Sequence, residues 1–338
     1  MLDSSLKEKQ SFSVAVIGNG SWATALVKLL CTNLPSVEWF VRSADTISYI
    51  KEHGHNPRYL QSMKLYPEKL SMTTDINEVI AKAGILVVAT PSAFLRDIMA
   101  NVKADLKNKF IVSAVKGILP HTNTTVGEYF HEEYGVPFDN IGVLAGPCHS
   151  EEIALERLSY LTFCCKKKEN AELLAKLFAT PFLKTITGKD IYGIEYASIL
   201  KNVYAIAAGI CHGLGYGDNF SAVLIANAHL EMKRFLNESY PTTRNTSESV
   251  YLGDLLVTCY SQFSRNRLFG TMIGKGYSVS SAQVEMNMIA EGYYASKGIY
   301  EINKKHVIDM PIANAVYNIL YKKISPAIEV AMLADKLQ

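Results

Sequence analysis

The sequence predicts an α/β protein, a doubly wound, mostly parallel sheet followed by an all-helical C-terminal domain. Three observations predict it. Short apolar runs alternate with amphipathic helical stretches through the first half of the chain. The first run ends in a glycine turn that opens a helix, Gly18-Asn19-Gly20-Ser21-Trp22-Ala23. After Gly188 the strand signals vanish and helical periodicity takes over. The expected division is a dinucleotide-binding domain over residues 1–190 and a helical substrate and catalytic domain over residues 191–338.

Residues 13–17 (SVAVI) form the first expected strand, apolar throughout as a buried parallel strand should be. A helix is expected over residues 22–30. Strand, tight glycine turn and helix are the context a Rossmann-type dinucleotide fingerprint requires. Gly18 permits the turn, Gly20 lets the backbone approach a pyrophosphate, and Ala23 takes the third, close-packed position. Ser21 and Trp22 open the helix, whose free N–H groups and partial positive charge face the phosphates.

The second strand, residues 37–41 (VEWFV), ends on Arg42 rather than on the acid that NAD-preferring folds place there. An arginine suits a 2′-phosphate, so NADP(H) is expected to be accepted or preferred, with NAD(H) left open. Residues 53–60 read as a polar loop. Further strands are expected at 84–90, 110–115 and 141–145, with helices at 76–82, 93–99 and 124–133. The strand ends carry Thr90, Lys116 and Gly146, where ligands of such sheets bind. Strands at 160–165 and 182–188, around a helix at 171–178, complete the sheet.

The helical half opens on residues 191–219, rich in Ala, Ile and Gly. Lys201 sits inside this stretch with Asn202 beside it, on a stripe shared with Ala197, Ala205 and Ala208. An ammonium buried without a partner costs several kcal/mol. Such a lysine either meets a carboxylate or titrates nearer neutrality. Residues 253–259 (GDLLVTC) put Asp254 and Thr258 one turn apart, and Asp254 is the carboxylate expected to answer Lys201. Ser264-Arg265-Asn266-Arg267 offers guanidinium forks and hydrogen bonds suited to phosphate. Helices are also expected at 221–236, 252–260, 281–289, 295–304, 312–322 and 327–336, with Pro311 in a tolerated first-turn position.

The bulk properties exclude several classes. A net charge of +2 over 338 residues gives no argument for nucleic acid or an anionic membrane. The opening MLDSSLKEKQ is neither a signal nor a transit peptide. The longest uninterrupted apolar run is too short to span a bilayer, so no integral membrane protein is expected. The six cysteines show no CxxC pair and suit a reducing cytoplasm. His53 and His55 have no Cys or acid at ligand spacing, so no metal site is expected.

Taken together the motifs resemble NAD(P)-dependent glycerol-3-phosphate dehydrogenase over nearly the whole chain. They are GNGSWATA (18–25), HNPRYL (55–60), VKG (115–117), Gly146-Pro147, LKNVYAIAAGICHGLGYGDN (200–219), GDLLVTC (253–259), SRNR (264–267) and Glu291-Gly292. The resemblance implies that Lys201 is the proton acceptor in alcohol oxidation, with Asp254 as its catalytic partner. It implies sn-glycerol 3-phosphate contacts from Lys116, Gly146, Cys148, Asp254, Ser264, Arg265 and Asn266; Asn202 and Thr258, beside the catalytic pair, join this candidate set. It implies cofactor contacts from Ser21, Trp22, Arg42, Lys116, Ser150, Arg265, Ile289 and Glu291, beside Gly18 and Gly20. It also implies a cytoplasmic homodimer supplying glycerol 3-phosphate for phospholipid synthesis. The chain departs from the family pattern at Ala23-Thr24-Ala25, Cys148 and Ser150.

The expected reaction is the reversible NAD(P)H-dependent reduction of dihydroxyacetone phosphate. Two alternatives keep the fold: a related 3-hydroxyacid or ketopantoate-type dehydrogenase, and a non-catalytic NAD(P)-sensing regulator.

Overall fold

A computed structural model describes residues 13–286 and 290–338 of the chain. The reading of the first ten residues therefore lies outside the described residues. The fold contains two compact units. The first comprises Met1–Thr90, Phe94–Val115 and Val126–Ile191; the second comprises Pro91–Ala93, Lys116–Thr125 and Tyr192–Gln338. The two short turns after the strands at 85–88 and 110–113 thus pack with the helical unit.

The first unit is built on one sheet. Its strands are β1 (Val14–Ile17), β2 (Val37–Phe40), β3 (Leu70–Thr73), β4 (Ile85–Val88), β5 (Phe110–Ser113), β6 (Ile141–Ala145), β7 (Ser159–Cys165) and β8 (Leu183–Gly188). They lie in the order β3-β2-β1-β4-β5-β6-β7-β8. Every pairing is parallel except β6 with β7. The reversal of order at β1 and β4 makes the sheet doubly wound. β1, β4 and β5 are buried along their whole length, as their unbroken apolar runs dictate.

Helices α1 (Ser21–Asn33), α2 (Ala44–His53), α3 (Ile76–Lys82), α4 (Ser92–Met99), α5 (Val126–Tyr134), α6 (Ser150–Ala154) and α7 (Lys168–Phe178) connect the strands. Leu26, Leu29 and Leu30 of α1, with Trp39, Phe110, Phe163 and Phe178, fill the core. The stretch between the second and fourth strands differs from the sequence reading. It holds a helix, α2, and an extra strand, β3. Ser43 caps α2 by accepting from the Thr46 amide, and Gly54 ends it in a left-handed turn. β3 is an edge strand in which only Leu70 is buried, so it carries no alternation to read.

The second unit holds α8 (Ile191–Gly213), α9 (Asp218–Ser239), α10 (Asp254–Tyr260), α11 (Arg265–Gly274), α12 (Val279–Glu285), α13 (Glu291–His306), α14 (Pro311–Tyr321) and α15 (Pro326–Ala334). The crossing of α8 and α11 brings two backbones close together. A Cβ at Gly270 would overlap the Ile206 carbonyl oxygen, and one at Gly274 the Ile210 carbonyl oxygen. In return, Gly209 and Gly213 accept the Arg267 and Thr271 carbonyls with no room for a methyl group. A glycine every fourth residue on each helix therefore lets α8 and α11 touch along their main chains. Among the described residues, no helix is long and apolar enough to cross a membrane.

Candidate active site

In the first unit the glycine turn is fixed from several sides. Gly18 has φ +129°, and a Cβ there would stand 2.5 Å from the Ala89 carbonyl oxygen. Both facts require glycine. The Gly18 carbonyl accepts from Trp39 Nε1 at 2.6 Å, and the Gly20 carbonyl accepts from the Thr24 hydroxyl at 2.8 Å. Asn56 of the HNPRYL motif is nearly fully buried. Its Nδ2 donates to Thr24 Oγ1 at 2.9 Å and to the Asn19 carbonyl at 3.3 Å. The HNPRYL segment therefore braces the fingerprint turn.

Gly20 caps α1 without a side chain, and apart from itself and its two chain neighbours nothing among the described residues lies within 4 Å of where its Cβ would be. The first-turn N–H groups of α1 lack intrahelical partners, as at any helix start, and suit an anion. Ser21 starts the helix and is buried, and Trp22 packs against the core. Arg42 follows β2 and stands 6.0 Å over the Phe94 ring. It lines a cleft of about 490 Å³ with Phe40, Asp75, Phe94, Asp97 and Ile98.

Three further candidates lie at the end of β6. Gly146 has φ +137°, with the Tyr160 carbonyl oxygen 2.8 Å from its would-be Cβ. Cys148 is packed into the hydrophobic core of the first unit. Ser150 opens α6, which packs on α1, and its hydroxyl donates to Glu151 at 3.0 Å.

The second unit gathers the charged candidates. Lys201 is only 2% exposed and lies among Ala197, Ala205 and Ala208, as its spacing on α8 predicts. Its ammonium forms an ion pair with Asp254, itself 1% exposed. A π-helical turn, Ser249–Gly253, leads into α10 and delivers Asp254 at its first position. The Thr258 hydroxyl donates to the Asp254 carbonyl at 2.6 Å and so braces that turn. Burial pushes the Lys201 amine down to about 8; Asp254 opposes the shift, and the ammonium of Lys116, which reaches Lys201, adds to it. Asn202 does not reach outward: its Nδ2 donates to the Lys116 carbonyl at 2.5 Å.

SRNR is the start of a helix rather than a loop. Ser264 caps α11 by accepting from the Arg267 amide at 3.3 Å. Arg265 and Asn266 then occupy its first turn, whose N–H groups and guanidinium suit an anion. Asn266 Oδ1 accepts from the Gly292 amide at 2.9 Å, which orients its Nδ2 as the remaining donor. Glu291 accepts from the Ser92 amide at 2.9 Å and from the Ser92 hydroxyl at 2.5 Å. Burial raises the Glu291 carboxyl, while Ser92 and the charge of Arg265 act against that. Ile289 lies outside the described residues.

Lys116, Lys201, Asn202, Asp254, Thr258, Ser264, Arg265, Asn266 and Glu291 thus belong to one unit, and Gly18, Gly20, Ser21, Trp22, Arg42, Gly146, Cys148 and Ser150 to the other. Ser92 was not singled out from the sequence. Its only signal there is its place two residues after Thr90, at a strand end.

Comparison with known proteins covers both halves. Residues 13–171 match the family model for the NAD-dependent glycerol-3-phosphate dehydrogenase N-terminus, and residues 190–331 match that for its C-terminus. A glycerol-3-phosphate dehydrogenase (NAD(P)+) of Bacillus subtilis is 35% identical over 329 residues, 96% of this chain and 94% of that one. One from Chlorobium limicola is 34% identical over 311 residues, 91% of this chain and 93% of that one. The crystal structure of glycerol-3-phosphate dehydrogenase from Coxiella burnetii superposes with a TM-score of 0.87 at 26% identity, covering 96% of this chain and 99% of that one. Matched in both halves and in order, the chain belongs to the NAD-dependent glycerol-3-phosphate dehydrogenase family.

Proposed function

We propose that this chain catalyses the reversible NAD(P)H-dependent reduction of dihydroxyacetone phosphate to sn-glycerol 3-phosphate, supplying glycerophospholipid synthesis. The observation that carries the reading is the buried Lys201–Asp254 pair with a second ammonium, Lys116, against it. Family membership supplies the substrate class.

A nicotinamide cofactor, when bound, exchanges a hydride with C2 of the substrate. The open first turn of α1 beyond Gly20 fits its pyrophosphate, held through Gly18, Gly20, Ser21 and Trp22. Arg42 would read the ribose end and Ser150 would complete the cradle; Lys116 and Arg265 are the further residues proposed to contact the cofactor. Lys201 gives a proton to the carbonyl oxygen during reduction and takes one from the hydroxyl in reverse. An amine near 8 can do either close to neutrality. Asp254 holds that amine in place. Arg265, Asn266 and Ser264 grip the phosphate and set C2 for transfer. Lys116 and Gly146 would add substrate contacts, while Cys148, packed in the core, and Asn202 and Thr258, bonded to main-chain carbonyls, would support the site from behind.

In this reading residues 1–190 bind the cofactor and residues 191–338 bind the substrate and carry the chemistry. The protein works in the cytoplasm as a homodimer. The spacing of the six cysteines, without a CxxC pair or a disulfide-scaffold pattern, suits that compartment.

The test follows the absorbance of reduced nicotinamide with dihydroxyacetone phosphate and each reduced cofactor in turn. A 2-oxo acid and a 3-oxo acid serve as competitors for the same assay. Turnover confined to the oxo acids, or cofactor binding without turnover of any substrate, refutes the proposal.

A further inference from the structure

Glu291 holds two turns at once. Both of its oxygens are taken by Ser92, one by the amide and one by the hydroxyl. A Cβ at Gly117 would overlap Glu291 Oε2 and lie 2.6 Å from the Ser92 hydroxyl. The Lys116–Gly117 peptide is therefore pressed flat against the Ser92–Glu291 pair. From its other side Asn202 holds the Lys116 carbonyl. Glu291 is itself pinned through its neighbour. The Gly292 amide is bonded to Asn266, and a Cβ on Gly292 would stand 2.5 Å from the Asn202 carbonyl oxygen.

We propose that Glu291 is a positioning residue that, with Ser92, clamps the Lys116–Gly117 turn against α8 and so keeps the Lys116 ammonium beside Lys201. The proposal rests on the dehydrogenase reading above. It gives Glu291 a task distinct from direct cofactor contact. It also explains why the turns Pro91–Ala93 and Lys116–Thr125 pack with the helical unit.

The clamp has a consequence for proton transfer. The charged and titratable groups facing Lys201 are Asp254 and Cys259 of α10 and Lys116 of the clamped turn. Those facing Glu291 are Arg265 of α11 and Tyr294 of its own helix. Of these, Lys116 is the group that favours a neutral Lys201 by like charge. Releasing the turn lets Lys116 move off, and the amine then holds its proton to higher pH. Oxidation of sn-glycerol 3-phosphate needs the neutral amine, so its rising pH limb moves to the alkaline side.

The test compares Ser92→Ala, Glu291→Ala, the double variant and Ser92→Thr. Each is read by the pH dependence of sn-glycerol 3-phosphate oxidation, by the KM for the oxidised cofactor, and by deuterium uptake of residues 116–125. Ser92→Ala is expected to move the limb alkaline by about half a pH unit or more and to raise deuterium uptake in that segment. Glu291→Ala goes further, the double variant matches Glu291→Ala, and Ser92→Thr returns to wild type because it restores the hydroxyl. The proposal is overturned if Glu291→Ala raises only the cofactor KM, or if the two single effects simply add. Should Glu291→Ala fail to fold, Ser92→Ala and Ser92→Thr decide the matter by themselves. Deuterium uptake needs no turnover. An inactive wild type therefore refutes the assigned reaction, while the uptake of Ser92→Ala still judges the clamp.

Discussion

Helix α8 carries one buried charge and faces another of opposite sign, and the unit treats them differently. Lys201 is answered by one carboxylate and crowded by another ammonium. Glu231 of α9, 1% exposed, is answered by main chain: its oxygens accept the Ile312 amide at 2.8 Å and the Ala313 amide at 3.0 Å. These are the open donors at the start of α14, where Pro311 has no N–H to offer. Burial raises the Glu231 carboxyl to about 7, and the two amides oppose that shift. The Tyr204 hydroxyl of α8, one turn beyond Lys201, also faces Glu231. Burial alone therefore does not make a reactive group. Glu231 is fixed by dipoles that cannot move away, whereas Lys201 sits between opposing charges on side chains and is poised to exchange a proton.

The largest expected effect tests the reactive member. Lys201→Ala should lower turnover by at least about two orders of magnitude while the cofactor still binds, as nucleotide fluorescence titration would report. Near-normal turnover would place the chemistry elsewhere. The next variant keeps the amine and removes its answer. Asp254→Asn takes away the one group that raises the Lys201 pKa by attraction, so the amine should fall below about 8. The pH limb for alcohol oxidation should move to the acid side, opposite to the shift expected on opening the Ser92–Glu291 clamp. An unmoved limb would show that Asp254 does not govern the amine.

Glu231→Gln addresses the structural member. A carboxyl whose folded pKa is raised from 4.5 to about 7 binds its proton more tightly when folded. Its contribution to stability is complete below pH 4.5 and is lost as pH rises to about 7. The Gln variant should flatten the stability profile across that window. Against the carboxylate it offers one acceptor where two amides need one each, so above pH 7 a loss of about 1–3 kcal/mol offsets part of the relief from the buried charge. Urea melts on both sides of the window check both signs; an unchanged slope would mean that Glu231 titrates alike in folded and unfolded chains.

The same contrast explains what the sequence made legible. Lys201 stood out because an ammonium interrupts a long apolar run, and Asp254 because it starts a helix among leucines. The sheet was legible because β1, β4 and β5 are apolar without interruption. Glu231 was silent. In Glu231-Met232-Lys233-Arg234 it looks like one charge on a solvated face, and its burial is set by a turn some eighty residues later. Ser92 and Glu291 lie 199 residues apart, and no local pattern joins them. The close crossing of α8 and α11 was written as glycines at a spacing of four, yet at ordinary helical geometry such glycines look like mere weak points. β3 was missed for the opposite reason, since an edge strand with one buried residue needs no pattern at all.

The smallest expected effect asks whether the two buried charges are independent. Tyr204→Phe removes the hydroxyl that α8 turns toward Glu231 and leaves the ring in place. Among the described residues that hydroxyl is buried without a hydrogen bond of ordinary geometry, so stability should stay within about 1 kcal/mol of wild type. The pH limb set by Lys201 should not move, because the groups that govern that amine are Asp254 and Lys116. A limb that shifts with Tyr204→Phe would mean that α8 transmits the state of Glu231 to the amine one turn away. The structural charge would then be part of the proton-transfer apparatus, and the division drawn between the two would fail.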